Sequence, residues 1–214
     1  MRIVFMGTPD FAVGSLQALC ESGKHEILAV VTQPDRPKGR GNKLLQTPVK
    51  EYALAQGLTV YQPQKVKTPE FVELLHELQP ELIVVAAFGQ FLSKEILELP
   101  KYGCINVHAS LLPKYRGAAP IQYAIIKGEK ESGVTIMQMD IGMDTGAMLD
   151  KVVVPIEENT TMGELHYALR EQGAALLLQV IDKIAAGTAV AEPQDNEQAT
   201  YATLLDRSME HIDW

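Results

Sequence analysis

The sequence has little cysteine and no long apolar run. Its two cysteines, Cys20 and Cys104, lie far apart and without CxxC spacing, so neither a zinc site nor a disulfide framework is predicted. No stretch approaches the ~18 apolar residues of a membrane span, and the apolar start meets Gly7, Pro9 and Asp10 too early for a signal peptide. These absences predict a cytoplasmic protein that does not span a membrane.

An excess of positive charge is also missing. Lys plus Arg number 19 against 27 Asp plus Glu, which gives a net charge of -8 and excludes a protein that coats nucleic acid with its whole surface. The composition, with 46% hydrophobic and 21% charged residues, is ordinary for a globular chain of 214 residues. One domain is therefore expected, with two small domains as the alternative, and a local basic patch stays compatible with the charge.

Two nucleotide-binding signatures are absent from the first turn of the chain. A short apolar run over residues 2–6 predicts a strand, and the GTPDF segment that follows it holds a single glycine. Neither a G-x-G-x-x-G fingerprint nor a P-loop is therefore present. Thr8 and Pro9 instead predict a capped start of a helix.

The sequence does contain an alternation of apolar runs and helical patterns. Continuous apolar runs over residues 27–32 and 82–88 predict strands buried on both faces of a sheet, the second of them central. Further strands are predicted over 104–109, 134–139 and 148–156, the last two without a helix between them. The pattern predicts an α/β, Rossmann-like, mostly parallel sheet with helices on both faces and a mixed far side.

A polar stretch after the last predicted helix divides the chain. The helical pattern runs over residues 162–186, and the segment from Gly187 to Thr203 is the one candidate linker. The chain then reaches Trp214 without another closed helix. We therefore expect residues 1–187 to form a catalytic domain and residues 188–214 to lead towards a further part of a longer protein.

Two polar side chains share the end of the strand predicted over residues 104–109. Strand periodicity puts Asn106 and His108 on one face, and ligands of parallel sheets bind at strand ends. An amide NH₂ suits an oxyanion and an imidazole transfers protons near neutral pH, so the pair predicts attack on a carbonyl. Satisfied core polar residues are the alternative. Ser110 lacks the G-x-S-x-G elbow of a hydrolase nucleophile.

Asp140 and Asp144 lie in a glycine-bearing loop between two predicted strands. The loop lacks the D-x-D-x-D-G run and the terminal Glu of a calcium hand, so it offers too few ligands for that ion. One interpretation is a turn held by Asx hydrogen bonds. The other is that one carboxylate reaches the imidazole, orients it and favours its protonated form.

A basic segment follows the second predicted strand. The segment is residues 34–43, and with Lys50 it holds five basic residues and the acidic Asp35. Its local charge is therefore about +4, in a chain of net charge -8. Its other basic residues are Arg36, Lys38, Arg40 and Lys43. A solvated loop is the plain interpretation, and contact with the phosphates of a polyanion is the functional one.

Several of these motifs together resemble a known family. Asn106-Val-His108, Ser110-Leu-Leu-Pro113 with Tyr115-Arg-Gly117, and Asp140 with Asp144-Thr-Gly146 are similar, in order and spacing, to the 10-formyltetrahydrofolate-dependent formyltransferases. Within that family, GTPDFA, TQPDRPKGRG, GAAPIQ and GVTIMQMD resemble the members that formylate methionine attached to initiator tRNA. The likeness runs from Met1 to Trp214.

The resemblance implies a direct reaction without a metal and without a covalent enzyme intermediate. The methionine amine would attack the formyl carbon of 10-formyltetrahydrofolate in translation initiation. Asn106 would stabilise the tetrahedral oxyanion, His108 would serve as proton carrier or second oxyanion donor, and Asp144 would set the orientation and charge of the imidazole.

The resemblance also implies binding residues and partners. The folate site would include Phe88, Gly89, Ser110, Leu111, Leu112, Pro113 and Asp140. Contacts with initiator tRNA would come from Arg36, Lys38, Arg40 and Lys43. Full-length members of the family carry a C-terminal β-barrel that helps hold tRNA and that the sequence up to Trp214 does not include. A monomer is expected.

Three alternatives stay open at this point. A formyltransferase with the same core could act on a small amine, either glycinamide ribonucleotide or an amino sugar. A hydrolase could release formate from the same folate. A non-catalytic nucleic-acid or nucleotide-binding module would use the basic segment alone, with Asn106 and His108 as core residues.

Overall fold

A computed structural model describes residues 1–38 and 43–206 of the chain. The strands in these ranges are β1 (Arg2–Gly7), β2 (Glu26–Val31), β3 (Arg36–Lys38), β4 (Lys43–Leu45), β5 (Val60–Tyr61), β6 (Leu82–Ala86), β7 (Cys104–His108), β8 (Arg116–Gly117), β9 (Glu131–Gln138), β10 (Met148–Pro155) and β11 (Tyr201–Ala202). The helices are α1 (Asp10–Ser22), α2 (Pro48–Ala55), α3 (Pro69–Leu78), α4 (Lys94–Glu98), α5 (Pro120–Ile126) and α6 (Met162–Ala185), with a 3₁₀ turn at Asn196–Gln198.

The main sheet of the described residues has seven strands in the order β10-β9-β7-β6-β1-β2-β5. Strands β5, β2, β1, β6 and β7 run parallel, whereas β9 is antiparallel to both β7 and β10. Two strands that follow each other without a crossover helix pair as antiparallel neighbours, which explains the mixed side. The predicted α/β sheet, its mixed edge and the central position of β6 are confirmed.

The two faces of the sheet bury two apolar cores. Alternate side chains of one strand enter opposite layers, so Ile3 and Phe5 pack beside α1 and α6 while Val4 and Met6 pack beside α3. All four side chains are fully buried. This is the reason for the continuous apolar runs, because a strand covered on both faces has no solvent side that needs polar residues.

The predicted helix cap at Thr8 is wrong. Helix α1 begins after Pro9, and no side chain caps it. The Thr8 hydroxyl instead donates to the carbonyl of Phe88 at 3.1 Å. Because β1 and β6 are adjacent and parallel, with Gly7 opposite Ala86, the residues that follow them meet at one edge, and a carbonyl there requires a donor.

The basic segment forms an antiparallel hairpin rather than a loop. Arg36–Lys38 pairs with Lys43–Leu45, and residues 39–42, which include Arg40, lie outside the described residues. Leu44 and Leu45 of this hairpin are exposed. Arg36, Lys38 and Lys43 therefore belong to a two-stranded ribbon that follows β2.

Part of the predicted linker packs against the domain. Strand β11 pairs in parallel with β8, Tyr201 opposite Arg116 and Ala202 opposite Gly117. Glu192 also forms an antiparallel bridge with Met148 at the start of β10. Residues 192–202 are therefore bound to the sheet domain by backbone hydrogen bonds.

None of the helices in residues 1–38 and 43–206 is long and apolar enough to cross a membrane.

Candidate active site

Strand β7 places the two polar residues predicted for carbonyl chemistry. It lies between β6 and β9, so Asn106 has Val85 on one side and Met137 on the other, and His108 lies opposite Thr135. Asn106 is half-buried and His108 is buried. Both side chains reach the same third residue, Asp144, which agrees with the shared face that strand periodicity predicts.

The carboxylate of Asp144 joins three elements of the site. Its Oδ1 accepts from Asn106 Nδ2 at 3.5 Å, and its Oδ2 accepts from the backbone N–H of Gly117 at 2.8 Å. The same Oδ2 lies 3.7 Å from His108 Nδ1. Asp144 adopts the left-handed conformation with φ +55°, which is uncommon for a residue with a side chain and tolerated best by Asp and Asn. An amide, an imidazole and a carboxylate thus meet at one point.

The orientation of the imidazole follows from its partners. His108 Nε2 lies 2.9 Å from the carbonyl oxygen of Tyr115, and because a carbonyl only accepts, Nε2 carries the hydrogen. Nδ1 then faces Oδ2 of Asp144. Nδ1 is therefore the ring nitrogen beside the carboxylate, and at 3.7 Å it lies too far away for a direct hydrogen bond.

The two aspartates of the loop have different partners. Asp140 Oδ1 accepts from the backbone N–H of Gly142 at 3.0 Å and from the Thr145 hydroxyl at 2.7 Å. That is the Asx-turn interpretation, and it fits Asp140. The contact with His108 belongs to Asp144.

Three of the seven predicted folate residues are almost fully buried. The side chains of Phe88, Ser110 and Leu112 are each at most 2% exposed, and the Ser110 hydroxyl donates to the carbonyl of Lys114 at 2.6 Å. Gly89 and Asp140 are exposed, while Leu111 and Pro113 are half-buried.

A hydrogen-bonded cluster that sequence reasoning missed lies behind Asp144. Gln194, in the predicted linker, donates from Nε2 to the carbonyls of Asp144 at 2.8 Å and Gly146 at 2.7 Å. Its Oε1 accepts from Nε and Nη2 of Arg116, which is 2% exposed. Arg116 also donates to Asn196. No local pattern marks Gln194, because a polar residue between two turns looks like solvent-exposed linker.

One ion pair at the base of the basic hairpin is neutral, so the local charge of about +4 counted from the sequence belongs to Arg36, Lys38, Arg40 and Lys43. Lys50 pairs with Asp35 at 2.5 Å, with both side chains at most 17% exposed. The hydrogen bonds from Lys50 and from Gln62 hold the pKa of the Asp35 carboxyl below its usual value. Arg36 is exposed. Arg40 and the side chains of Lys38 and Lys43 lie outside the described residues.

Within the described ranges, no group of three or more His, Cys, Asp and Glu side chains is arranged to hold a metal ion.

Comparison with known proteins places the chain in a family. The sequence pattern of the formyl transferase family matches residues 1–181. Curated methionyl-tRNA formyltransferases from Acetivibrio thermocellus and Caldanaerobacter subterraneus subsp. tengcongensis are 55% and 57% identical over all of the chain, which covers 68% and 69% of their own lengths.

A solved structure of lower identity has the same fold. The N-formyltransferase of Helicobacter canadensis, in complex with folinic acid and dTDP-3-aminofucose, is 26% identical and superposes with a TM-score of 0.70 over 94% of the chain and 70% of that protein. The chain corresponds to the N-terminal domain of the longer curated relatives. It belongs to the formyl transferase family.

Proposed function

We propose that this chain transfers the formyl group of 10-formyltetrahydrofolate to the free amino group of methionine on initiator tRNA. The observation that carries the chemistry is the meeting of Asn106, His108 and Asp144 at the end of β7. The observation that favours this acceptor is the identity of 55–57% over the whole chain to methionyl-tRNA formyltransferases.

The neutral amine attacks the formyl carbon directly. A carbon–nitrogen bond forms, and the carbonyl π electrons move to oxygen to give a tetrahedral intermediate. That intermediate collapses when the bond to folate N10 breaks, the leaving nitrogen takes the electron pair, and a proton passes from the attacking amine to N10. The products are the formamide of the methionyl ester and tetrahydrofolate, so no oxidant and no covalent enzyme adduct is required.

Each of the three side chains has a separate role in this reaction. The Asn106 NH₂ is an uncharged donor suited to the developing oxyanion, and its hydrogen bond to Asp144 is long, at 3.5 Å. His108 exchanges a proton on its Nδ1 side, since Nε2 is committed to Tyr115. Asp144 holds that side of the ring and stabilises the imidazolium.

The folate donor is supported by the family and by one solved relative. The Helicobacter canadensis N-formyltransferase binds folinic acid in its crystal. In this chain the donor would lie along the segment after β6, with Phe88, and along the loop 110–113, with Ser110 and Leu112. Gly89, Leu111, Pro113 and the exposed Asp140 complete the proposed folate surface.

The tRNA acceptor is proposed to contact the basic hairpin. Arg36, Lys38, Arg40 and Lys43 would neutralise phosphates of the acceptor arm. Residues 188–214 would lead into the part of the longer relatives that this chain does not cover. The protein is proposed to act in the cytoplasm, as a monomer.

The test is a comparison of acceptors with the purified chain. Formyl transfer from 10-formyltetrahydrofolate is followed with Met-charged initiator tRNA, glycinamide ribonucleotide, a dTDP-amino sugar, and no acceptor. We expect formylmethionyl-tRNA as the main product, with formate release slower by at least ~10²-fold because water is a poorer nucleophile than a positioned amine. Preferred turnover of a small amine, or formate release that no acceptor accelerates, would reject the assignment.

A further inference from the structure

We infer that Gln194, together with Arg116, is a positioning residue of the active site, and that residues 192–202 after α6 hold the catalytic aspartate in place. The inference rests on the proposed function. Gln194 lies outside residues 1–181, which the family pattern matches, and its backbone belongs to a segment without periodic structure apart from a single 3₁₀ turn and a two-residue strand.

The first step is the contact of Gln194 with the loop that carries Asp144. Its single amide group donates to two backbone carbonyls, Asp144 and Gly146, at 2.8 and 2.7 Å. Asp144 has φ +55°, a conformation that is maintained only where surrounding contacts stabilise it. Gly146 is buried and lies so close to the Gln138 carbonyl that an added Cβ would be 1.8 Å from its oxygen. The amide of Gln194 thus fixes a turn that has little room to relax.

The second step is that Gln194 is itself fixed. Its Oε1 accepts two hydrogen bonds from the guanidinium of Arg116, at 3.0 and 2.8 Å. Arg116 is 2% exposed, and its side-chain partners among the described residues are Gln194 and Asn196. A buried cation without its acceptors is costly, so Arg116 orients the Gln194 amide with its NH₂ towards the Asp144 loop.

The third step is that the same segment holds the other partners of the catalytic groups. The carbonyl of Tyr115 accepts from His108, and the N–H of Gly117 donates to Asp144. Thr200 binds the backbone N–H groups of Tyr115 and Arg116, each at 2.9 Å, and Ala202 accepts from Ala118 at 2.8 Å. Residues 192–202 therefore bind both sides of the aspartate, its own loop and the strand that donates to it.

Three variants separate this role from general stability. Gln194→Met keeps the length of the side chain and removes its donor and acceptor. Gln194→Glu keeps an acceptor for Arg116 but cannot donate to the two carbonyls while it is ionised beside a guanidinium. Gln198→Met is the matched control, because Gln198 is an exposed amide of the same segment whose side chain bonds only Asp195 among the described residues.

Two measurements are made on each variant. Steady-state formylation gives kcat and KM for the folate and for Met-charged initiator tRNA. Hydrogen exchange by NMR reports the Gly117 amide, whose bond to Asp144 protects it, relative to the amides of the central strand β6. We expect Gln194→Met and Gln194→Glu to lower kcat by about tenfold to a hundredfold, the range for a misplaced reacting group, and to change either KM by less than about threefold.

We expect the change in hydrogen-exchange rate to be confined to the region around Gly117. The Gly117 amide should exchange at least about tenfold faster in both Gln194 variants, with the β6 amides unchanged, while Gln198→Met should match wild type in both measurements. The inference is overturned if Gln194→Glu keeps wild-type kcat and wild-type Gly117 protection, because acceptance from Arg116 alone would then suffice. If wild type formylates no acceptor, the proposed function fails, and the exchange comparison still decides whether Gln194 positions Asp144.

Discussion

At the scale of single residues, the site depends on hydrogen bonds that assign one role to each polar group. Asp140 and Asp144 are the same residue type in one loop, yet Asp140 closes a turn with Gly142 and Thr145 while Asp144 faces His108. The strand alternation predicted correctly that Asn106 and His108 share a face. It left open which aspartate joins them, because that depends on how the loop folds over β7.

Asn106→Ala is expected to lower kcat by ~10² to 10³ at saturating substrates, the usual cost of losing one oxyanion donor. The melting temperature should change little, because the hydrogen bond from the Asn106 amide to Asp144 is 3.5 Å long. The measurement is steady-state formylation with thermal unfolding of the same samples. Asn159→Ala, at an exposed turn after β10, is the control, and an Asn106 variant as active as this control would remove Asn106 from the mechanism.

Asp35→Asn is expected to lower the free energy of unfolding by about 1 kcal/mol at pH 7, since the pair with Lys50 is mostly buried. The pKa of Asp35 is lower in the folded protein than its usual 3.8. Its stabilisation is therefore fully present above about pH 4 and disappears as the pH falls through the folded-state pKa.

The measurement is urea unfolding of wild type and Asp35→Asn at pH 7, 5 and 3. The difference between the two proteins should be equal at pH 7 and 5 and smaller at pH 3. Asp182→Asn removes an exposed pair with Lys24 and should leave the unfolding midpoint within error at every pH. A constant difference across the three pH values would contradict the ion-pair account of Asp35.

At the scale of elements, a pair of two-residue strands supports the site beside the long strands. β8 and β11 have two residues each and pair in parallel, and β8 supplies the N–H that binds Asp144. The centre of the seven-strand sheet was predictable because β1, β2 and β6 contain continuous apolar runs. The β8–β11 pair was not, since neither strand is long enough to show a period.

Gly117→Ala is expected to destabilise the protein by about 1–3 kcal/mol and to lower kcat. Gly117 has φ +113°, and an added Cβ would lie 2.7 Å from the Ala202 carbonyl oxygen, so β11 would have to move away from β8. Urea unfolding measures the first effect and formylation the second.

Gly163→Ala is the matched control for that substitution. Gly163 is in the first turn of α6, and the nearest atom to an added Cβ is 4.0 Å away. Alanine favours a helix over glycine, so this variant should be as stable as wild type or more stable. Equal stability of the two glycine variants would show that β11 does not constrain Gly117.

At the scale of the whole molecule, a chain of net charge -8 presents a basic hairpin beside a sheet edge where strand ends meet. Thr8 and Gln33, which follow β1 and β2, both donate to the carbonyl of Phe88 after β6. The hairpin begins three residues after Gln33. The basic hairpin therefore begins close to the sheet edge at which the residues after β1, β2 and β6 meet.

Arg40→Ala is expected to raise KM for Met-charged initiator tRNA and to leave kcat at saturating tRNA within about twofold. Removing one lysine or arginine that binds a phosphate should reduce the slope of log KM against log salt by about 1. The measurement is formylation across a salt series. Lys130→Ala, at an exposed position, should keep the wild-type slope, and an identical slope for Arg40→Ala would argue against phosphate contact at that residue.

The layer architecture, the shared face of Asn106 and His108, and the family could all be established from the order of the amino acids. Local periodicity or contiguous motifs indicate each of these features, so each can be identified without knowing any contact between distant residues. The family resemblance also implied Asp144, and the folded arrangement was needed to show that Thr8 bonds Phe88 and that Gln194 supports Asp144.

These two outcomes share one physical reason. The partners are far apart along the chain, with a separation of 80 positions between Thr8 and Phe88 and of 78 between Arg116 and Gln194. A polar side chain can satisfy its hydrogen bonds with any acceptor that the fold brings near, and only the packing of strands and loops determines which acceptor that is. Residues 192–202 therefore looked like a solvated linker in the sequence, and the folded chain makes them part of the support of the active site.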